Sequence, residues 1–124
     1  MEKLEEMFEI QKRLQQRLGT WMKINSDASN IEKNRQQFAN QIFLAMFEET
    51  VEIMRETAYK NPEYVEFGWK KGQTLNREKI LKEIVDLWHF MINICLVYDF
   101  SSEDFYNCYM EKNKENHIRQ DNNY

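Results

Sequence analysis

The segment Phe47-Glu48-Glu49-Thr50-Val51-Glu52 decides the fold together with a second segment, Glu83-Ile84-Val85-Asp86. In a helix, residues three or four positions apart share a face, so each segment places two carboxylates on one side of its helix. At helical spacing, the same two faces carry apolar residues. These are Phe38, Ile42 and Ala45 before the first segment and Phe90, Ile94 and Val97 after the second. The acids therefore extend the apolar stripes of two helices, whereas a soluble helix normally places its acids opposite that stripe.

Four carboxylates on the inner faces of two helices need a compensating charge. Burying several unpaired carboxylates together is prohibitively costly unless they are neutralised or bind a cation. The predicted metal ligands are Glu49, Glu52, Glu83 and Asp86. An all-oxygen set favours Mg²⁺, with Mn²⁺ as a substitute, over zinc. The alternative is two acidic surface patches in ordinary salt bridges with Lys79, Lys82 and Arg55, but two pairs on inner stripes favour the metal centre.

Length and composition predict one all-α domain over residues 1–124. A chain of 124 residues has room for one core. Three Gly, one Pro and long periodic segments favour helices, because strands need turn residues that this sequence lacks. The net charge of −4 is mild and both signs are mixed along the chain, which gives no support to binding of polymeric nucleic acid or of a membrane surface.

The cysteines and the absence of targeting patterns indicate a cytoplasmic protein. Cys95 and Cys108 are too few for a disulfide framework, and Cys95 falls in an apolar helical segment, so we expect reduced core thiols. The sequence shows neither an N-terminal signal pattern nor an apolar run long enough to span a membrane.

Helical periodicity predicts four helices, over residues 2–18, from about 30 to about 59, from 77 to 98, and from 102 towards the C-terminus. Gly19 ends the first helix. Pro62 limits the second, because a proline disfavours helical geometry in the residue before it. Ser101-Ser102-Glu103-Asp104 combines a capping hydroxyl with first-turn acids, which is typical of a helix N-terminus.

Three groups of polar residues are candidates for ligand binding. Gln11 and Gln15 interrupt the apolar face of the first helix, where an amide suits either a pyrimidine edge or the edge of a packing seam. In the loop 62–76, Trp69 precedes Lys70 and Lys71, an arrangement that suits either stacking on a base beside phosphates or anchoring of the loop to the core. One side of the last helix carries donors suited to phosphate and sugar oxygens or simply to solvent: Tyr109, Lys112, Asn113, Asn116, Arg119 and Gln120.

These motifs together resemble the all-α nucleoside triphosphate pyrophosphohydrolases, a group that includes MazG-like proteins and the dimeric dUTPases. The pattern Glu-Glu-x-x-Glu followed by Glu-x-x-Asp is similar to their metal motif. Three segments point to the dimeric dUTPase branch. Ile10-Gln11-Lys12-Arg13-Leu14 resembles its base-recognition segment, and Glu83-Ile84-Val85-Asp86-Leu87-Trp88-His89-Phe90 resembles its second metal helix. Its phosphate-binding signature is similar to Tyr109-Met110-Glu111-Lys112-Asn113, Asn116, Arg119-Gln120 and Tyr124.

The resemblance implies Mg²⁺-dependent hydrolysis of dUTP to dUMP and pyrophosphate. Glu48 or Glu49 would orient and deprotonate the attacking water. The base would be bound by Gln11, Gln15, Trp69 and Phe90. The phosphates and sugar would be bound by Lys70, Lys112, Asn113, Asn116, Arg119 and Tyr124. Gln15 stands where the family has an Asn, which keeps open a relative acting on dCTP or other deoxynucleotides.

The resemblance also implies a short, phage-like form that oligomerises. The chain lacks the helices that cellular members insert before the C-terminal signature, so a four-helix unit would join partner chains in a larger helical bundle. A homodimer is favoured and a tetramer is possible. The alternative from another class is a non-catalytic helical protein that binds a partner and whose carboxylates hold at most a structural cation.

Overall fold

The computed structural model describes residues 2–123, and this part of the chain is all-α. The helices are α1 (Lys3–Arg17), α2 (Thr20–Ile24), α3 (Ile31–Arg55), α4 (Arg77–Val97) and α5 (Ser102–Asp121), with a short 3-10 turn at Ala28–Asn30. The predicted fold class is confirmed. The four predicted helices correspond to α1, α3, α4 and α5.

The short helix α2 was not predicted. Gly19 ends α1 in the left-handed conformation, with φ of 76°, as its position in the sequence indicated. The chain then makes one further turn of helix, which is held from outside by tertiary contacts. The indole Nε1 of Trp21 donates to the carbonyl of Lys12 at 3.3 Å, and Ile24 is buried in the core. Five residues are too few to form a stable helix by themselves, so this element depends on packing.

Helix α3 ends at Arg55, and the prediction that it continues to about Tyr59 was wrong. The amides of Glu56 and Thr57 donate to carbonyls three residues back, which tightens the last turn. The carbonyl of Glu56 then accepts from the amide of Asn76, just before α4. The chain leaves the helix early because this contact with the start of α4 replaces a further helical bond.

Local capping explains where α4 and α5 begin. The side chain of Asn76 accepts from the amide of Lys79 at 3.1 Å. Ser101 and Asp104 form a complete capping box, in which each side chain accepts from the backbone amide of the other residue. These bonds satisfy amides that have no partner inside the helix.

Helices α3 and α4 form the antiparallel pair at the centre of the fold. Near the start of α3, Arg35 donates to Asp99, just beyond the end of α4, at 2.9 Å, while the end of α3 meets the start of α4 through Glu56 and Asn76. The best-packed part of the core lies at one end of this pair. It consists of Ile24, Ala39 and Val97 with Trp21, Phe38, Ile94 and Tyr98 packed around them.

Helix α3 is apolar on both of its long faces. Its inner face packs on α4 through Ala39 and Ile42. Its outer face carries an exposed stripe, here called the α3 stripe, which consists of Leu44, Phe47, Val51 and Met54. The accessible surface of the chain is 9980 Å², whereas a folded monomer of 15.3 kDa typically exposes about 7,100 Å². The chain therefore exposes more surface than is typical, and this surface includes the apolar α3 stripe.

Helix α5 packs on the rest of the chain only near its start. The ring of Phe105 lies 6.4 Å from that of Phe8 and 6.3 Å from that of Trp88. Every residue from Tyr106 to Asn123 is exposed. Cys108 lies in this part and is exposed, so the prediction of two core thiols was wrong for Cys108, while Cys95 is half-buried. Within the described residues, no helix is long and apolar enough to cross a membrane.

Candidate metal centre

Three carboxylates converge where α3 and α4 face each other. Glu49 comes from the inner face of α3, and Glu83 and Asp86 come from α4. One oxygen from each of the three carboxylates lies within 4.8 Å of the others. Glu49 and Glu83 are half-buried and Asp86 is exposed, so the group opens to solvent on the Asp86 side. The two acidic segments thus meet as the sequence predicted.

The environment of the cluster disfavours charge on Glu49. Burial first, then a hydrogen bond with Glu83, and then repulsion from Glu52, Glu83 and Asp86 raise the pKa of Glu49 from 4.5 to about 7. The Oε2 atoms of Glu49 and Glu83 are shielded from solvent and have no hydrogen-bond partner among the described residues. Buried carboxylate oxygens without donors are costly.

A divalent cation fits this arrangement of oxygens. It would supply the positive charge that the two shielded oxygens lack, and hard cations such as Mg²⁺ prefer carboxylate ligands. The open side at Asp86 leaves room for water or phosphate oxygens, which Mg²⁺ usually keeps among its ligands. The donor set and the unpartnered oxygens therefore both suit a metal.

The fourth predicted ligand lies at the rim of the cluster. Glu52 is exposed, and its pKa is raised mainly by a hydrogen bond with Glu83, with smaller contributions from burial and from repulsion by Glu83 and Glu48. It is therefore close to Glu83 but outside the compact group of three. Glu48, the predicted alternative for orienting water, is exposed on α3.

The salt-bridge alternative has no support among the described residues. None of the four acids forms an ion pair there with a lysine or arginine. Lys82 instead pairs with Glu78 on its own helix at 3.6 Å. No described lysine or arginine therefore offsets the repulsion between the carboxylates of the cluster.

The stability of the metal-free protein is expected to depend on Glu49 and on pH. Because the folded-state pKa of Glu49 is about 7 and its ordinary value is 4.5, the folded chain holds this proton more tightly. The stabilisation is complete below pH 4.5 and is lost as the pH rises through 7. In chelator, the melting temperature of Glu49→Gln should rise relative to that of the wild type as the pH increases from 4.5 to above 7. Glu66→Gln, an exposed loop change, is the control, and parallel wild-type and Glu49→Gln curves would contradict the prediction.

The two glutamines of α1 lie inside the fold. Gln11 is 5% exposed, and its Nε2 donates to Oδ1 of Asn93 on α4 at 2.9 Å. Gln15 is 7% exposed, and its Oε1 accepts from the hydroxyl of Thr20 at the start of α2. Both amides therefore have protein partners in the seam between helices, and their predicted role in base binding stays a prediction.

Asn93 is the residue of this region that the sequence analysis did not single out. It lies seven positions after Asp86, so the two residues share a face of α4. This spacing was visible in the sequence. Its pairing with Gln11 was not, because that contact joins residues 82 positions apart.

The loop between α3 and α4 presents Trp69 to solvent. Trp69 is 72% exposed and packs edge-on against Tyr59, and the Nζ of Lys60 lies 5.9 Å from its ring centre. The buried Asn61 holds the loop through a bond from its Nδ2 to the carbonyl of Gln73 at 2.7 Å. The indole therefore does not anchor the loop in the core, and most of its surface is accessible to solvent.

A close backbone approach explains the glycine before Trp69. A Cβ at Gly68 would lie 2.5 Å from the nitrogen of Pro62 and 2.7 Å from the carbonyl oxygen of Lys60. Residue 68 must therefore lack a side chain for this loop to close, which fixes where the loop presents Trp69. Lys70 is exposed, and its amide donates to the carbonyl of Lys60 at 2.8 Å.

The predicted phosphate-binding residues of α5 are not packed against the acidic cluster. Lys112, Asn113, Asn116 and Arg119 are all exposed on the part of α5 that extends beyond its contact with α1. Lys112 pairs with Glu115 on the same helix at 3.3 Å. Phe90 is half-buried on α4. Tyr124 lies outside the described residues.

The fold and the site define an all-α protein with a cluster of carboxylates between two antiparallel helices. The chain belongs to the all-α dUTPase family, whose sequence profile matches residues 3–99 and again residues 91–124. It is also 34% identical, over 64 residues, to the dCTP pyrophosphatase of Enterobacteria phage T4. That match covers 49% of this chain and 37% of the phage protein. No solved structure matches the chain.

Proposed function

We propose that this chain is a divalent-metal-dependent nucleotide pyrophosphohydrolase that converts dUTP and water to dUMP and pyrophosphate. The observation that carries the proposal is the convergence of Glu49, Glu83 and Asp86, with two shielded carboxylate oxygens that have no donor. Membership of the dUTPase family supports a nucleotide as substrate.

The proposed roles combine the resemblance to the family with the convergence of the acidic side chains. Glu49, Glu83 and Asp86 would hold Mg²⁺ or Mn²⁺, and Glu52 would join them from the rim. The bound ion would neutralise phosphate charge and lower the pKa of a coordinated water. Glu48 or Glu49 would orient the attacking water and remove its proton. The water oxygen forms a new P–O bond as a P–O bond of the α–β bridge breaks, which gives dUMP and pyrophosphate. Catalysis of this kind depends on positioning and electrostatics without a covalent intermediate on the protein.

The substrate groups are assigned to three elements. Gln11 and Gln15 of α1 bind the base, and Trp69 or Phe90 stacks on it or closes the pocket. Lys70 in the loop and Lys112, Asn113, Asn116 and Arg119 on α5, with Tyr124, bind the phosphates and sugar. Because these α5 side chains are exposed and α5 packs on α1 near its start, we infer that they come to the phosphates by movement of α5 or from a partner chain.

A second candidate substrate is dCTP. The similarity to a dCTP pyrophosphatase over about half of the chain favours it. Gln15 also keeps dCTP open as a substrate, because it stands at a position where the dUTPases that the sequence resembles have an Asn.

Pyrophosphate release from each deoxynucleoside and ribonucleoside triphosphate, and hydrolysis of dUDP, test the proposal directly. We expect release from dUTP with Mg²⁺ and none with excess chelator. Turnover of dCTP without dUTP, or of purine nucleotides, would keep the metal chemistry and change the base assignment. Absence of turnover with every nucleotide would overturn the proposal in favour of a non-catalytic partner-binding protein.

We further propose that the active form is a homodimer, with a tetramer as the alternative. The chain exposes roughly 2,800 Å² more surface than a folded monomer of its mass typically does. Obligate homodimer interfaces commonly bury 2,000 Å² or more in total and are rich in apolar residues. The α3 stripe supplies such a surface on the side of α3 that faces away from Glu49.

A further inference from the structure

The contact between Gln11 and Asn93 is a buried pair of amides with one hydrogen bond between them. Gln11 and Asn93 are 5% and 3% exposed, and the Nε2 of Gln11 donates to the Oδ1 of Asn93 at 2.9 Å. Within residues 2–123 this is the one hydrogen bond that either side chain forms. It leaves the Oε1 of Gln11 as an acceptor without a protein donor.

The pair lies in line with the metal centre. Asp86 and Asn93 are seven residues apart on one face of α4, which corresponds to roughly 10 Å along the helix axis. Phe90 lies between them and is half-buried. A nucleotide whose phosphates meet the carboxylates would extend over about this distance to place its base near the amide pair.

An amide pair of this kind has two arrangements of nearly equal shape. The oxygen and nitrogen ends of an amide differ little in size, so both groups can turn by half a turn without repacking. In the arrangement seen here, Gln11 offers an acceptor, which is complementary to the N3–H of uracil. In the turned arrangement, Asn93 donates to Gln11, and Gln11 offers an N–H, which is complementary to the unprotonated N3 of cytosine.

We propose that Asn93 is a specificity-determining residue that sets which end of the Gln11 amide faces the base, and that this pair admits both uracil and cytosine nucleotides. The proposal rests on the proposed function. Asn93 acts through Gln11 and is therefore a positioning residue. An ionised aspartate at position 93 can only accept, so it would hold the Nε2 of Gln11 and keep the Oε1 towards the base.

The test compares kcat/KM for dUTP and dCTP at pH 8, where an ordinary aspartate is ionised. The wild type should hydrolyse both with values within about tenfold of each other. Asn93→Asp should raise the preference for dUTP over dCTP by at least about tenfold, because a mismatched hydrogen-bonding group rejects a substrate strongly. Gln11→Glu should shift the preference in the same direction, since the new carboxylate accepts from Asn93 and also faces the base with an acceptor.

Two further variants separate specificity from folding. Asn93→Leu removes the hydrogen-bonding partner of Gln11 while keeping the branched shape of the side chain, and it should lower kcat/KM for both nucleotides without changing their ratio by more than about threefold. Asn107→Asp makes the same chemical change on an exposed part of α5 and should leave the ratio unchanged.

Failure of the inference and failure of the proposed function give different results. A wild type that hydrolyses no nucleotide overturns the proposed function. A wild type that hydrolyses dUTP or dCTP but not both, or an active Asn93→Asp with an unchanged ratio, leaves the metal chemistry intact and shows that the amide pair is only a packing contact. If Asn93→Asp does not fold, as judged by its thermal melt, the inference is tested by the preference of Gln11→Glu and by the wild-type ratio of kcat/KM for dUTP and dCTP.

Discussion

Replacing Glu49 with glutamine is expected to lower turnover of the preferred nucleotide at least about a thousandfold while the helices remain folded. Glu49 is the acid that joins α3 to the two carboxylates of α4, and one of its oxygens is shielded and lacks a donor. Glutamine keeps the size of the side chain but replaces one anionic oxygen with an amide nitrogen, which cannot bind a cation. The assay is Mg²⁺-dependent pyrophosphate release from dUTP and dCTP.

Loss of metal binding should accompany the loss of turnover. Titration with Mn²⁺, followed by calorimetry, should show weaker binding to Glu49→Gln than to the wild type. Metal-free Glu49→Gln should melt no lower than the wild type at pH 8, because the substitution removes a repelling charge from the cluster. Glu66→Gln serves as the matched control, since it makes the same change on an exposed loop residue. Activity of Glu49→Gln within tenfold of the wild type would rule out the proposed metal centre.

Replacing Leu44 with arginine is expected to weaken self-association at least about a hundredfold, which is the effect of burying an unpaired charge in an apolar interface. Leu44 is 69% exposed and Phe47 is 76% exposed, and both lie on the α3 stripe. In a dimer through this surface the new guanidinium would enter an apolar contact without a partner. Sedimentation velocity over a range of protein concentrations measures the effect.

A control on the same helix separates a local effect from a general effect of charge. Gln41→Arg adds the same group to α3 at an exposed position about 100° around the helix from the centre of the α3 stripe, and it should leave association unchanged. Far-UV circular dichroism should be the same for both variants. A wild type that sediments as a monomer, or a dimer that Leu44→Arg does not weaken, would exclude the α3 stripe as the interface.

If dimerisation also completes the active site, Leu44→Arg should lose activity in proportion to its loss of dimer. The exposed donors on α5 give the physical reason, because they do not pack against the cluster of their own chain. Activity that persists in a monomeric Leu44→Arg would show that α5 of the same chain, and not of a partner, brings its donors to the phosphates.

Local chemistry explains why so much of the fold was predictable. Helix periodicity located α1, α3, α4 and α5, and the capping residues Ser101 and Asp104 marked the start of α5 correctly. The spacing of Glu49, Glu83 and Asp86 relative to apolar neighbours placed them on inner faces, and two inner faces of an antiparallel pair must meet. These features depend on residues close in sequence.

The errors have an equally physical cause. Helix α2 and the early end of α3 depend on contacts made by Trp21 and Asn76 with distant parts of the chain, and neither contact has a local pattern. Cys108 was assigned to the core together with Cys95 because two cysteines are too few for a disulfide framework, and no local pattern around Cys108 supported that assignment. The chain leaves α5 exposed after Phe105.

The sequence by itself determined the four long helices, the capping box that begins α5 and the acids that share a face. It could do so because these relations depend on residues close in sequence and on a repeat of 3.6 residues per turn. Tertiary structure alone decided that Gln11 pairs with Asn93 and Gln15 with Thr20, that Glu52 lies at the rim of the acidic cluster, and that the donors of α5 lie apart from it. These relations depend on how whole helices pack against one another, and spacing along one helix carries no information about the register of its neighbour.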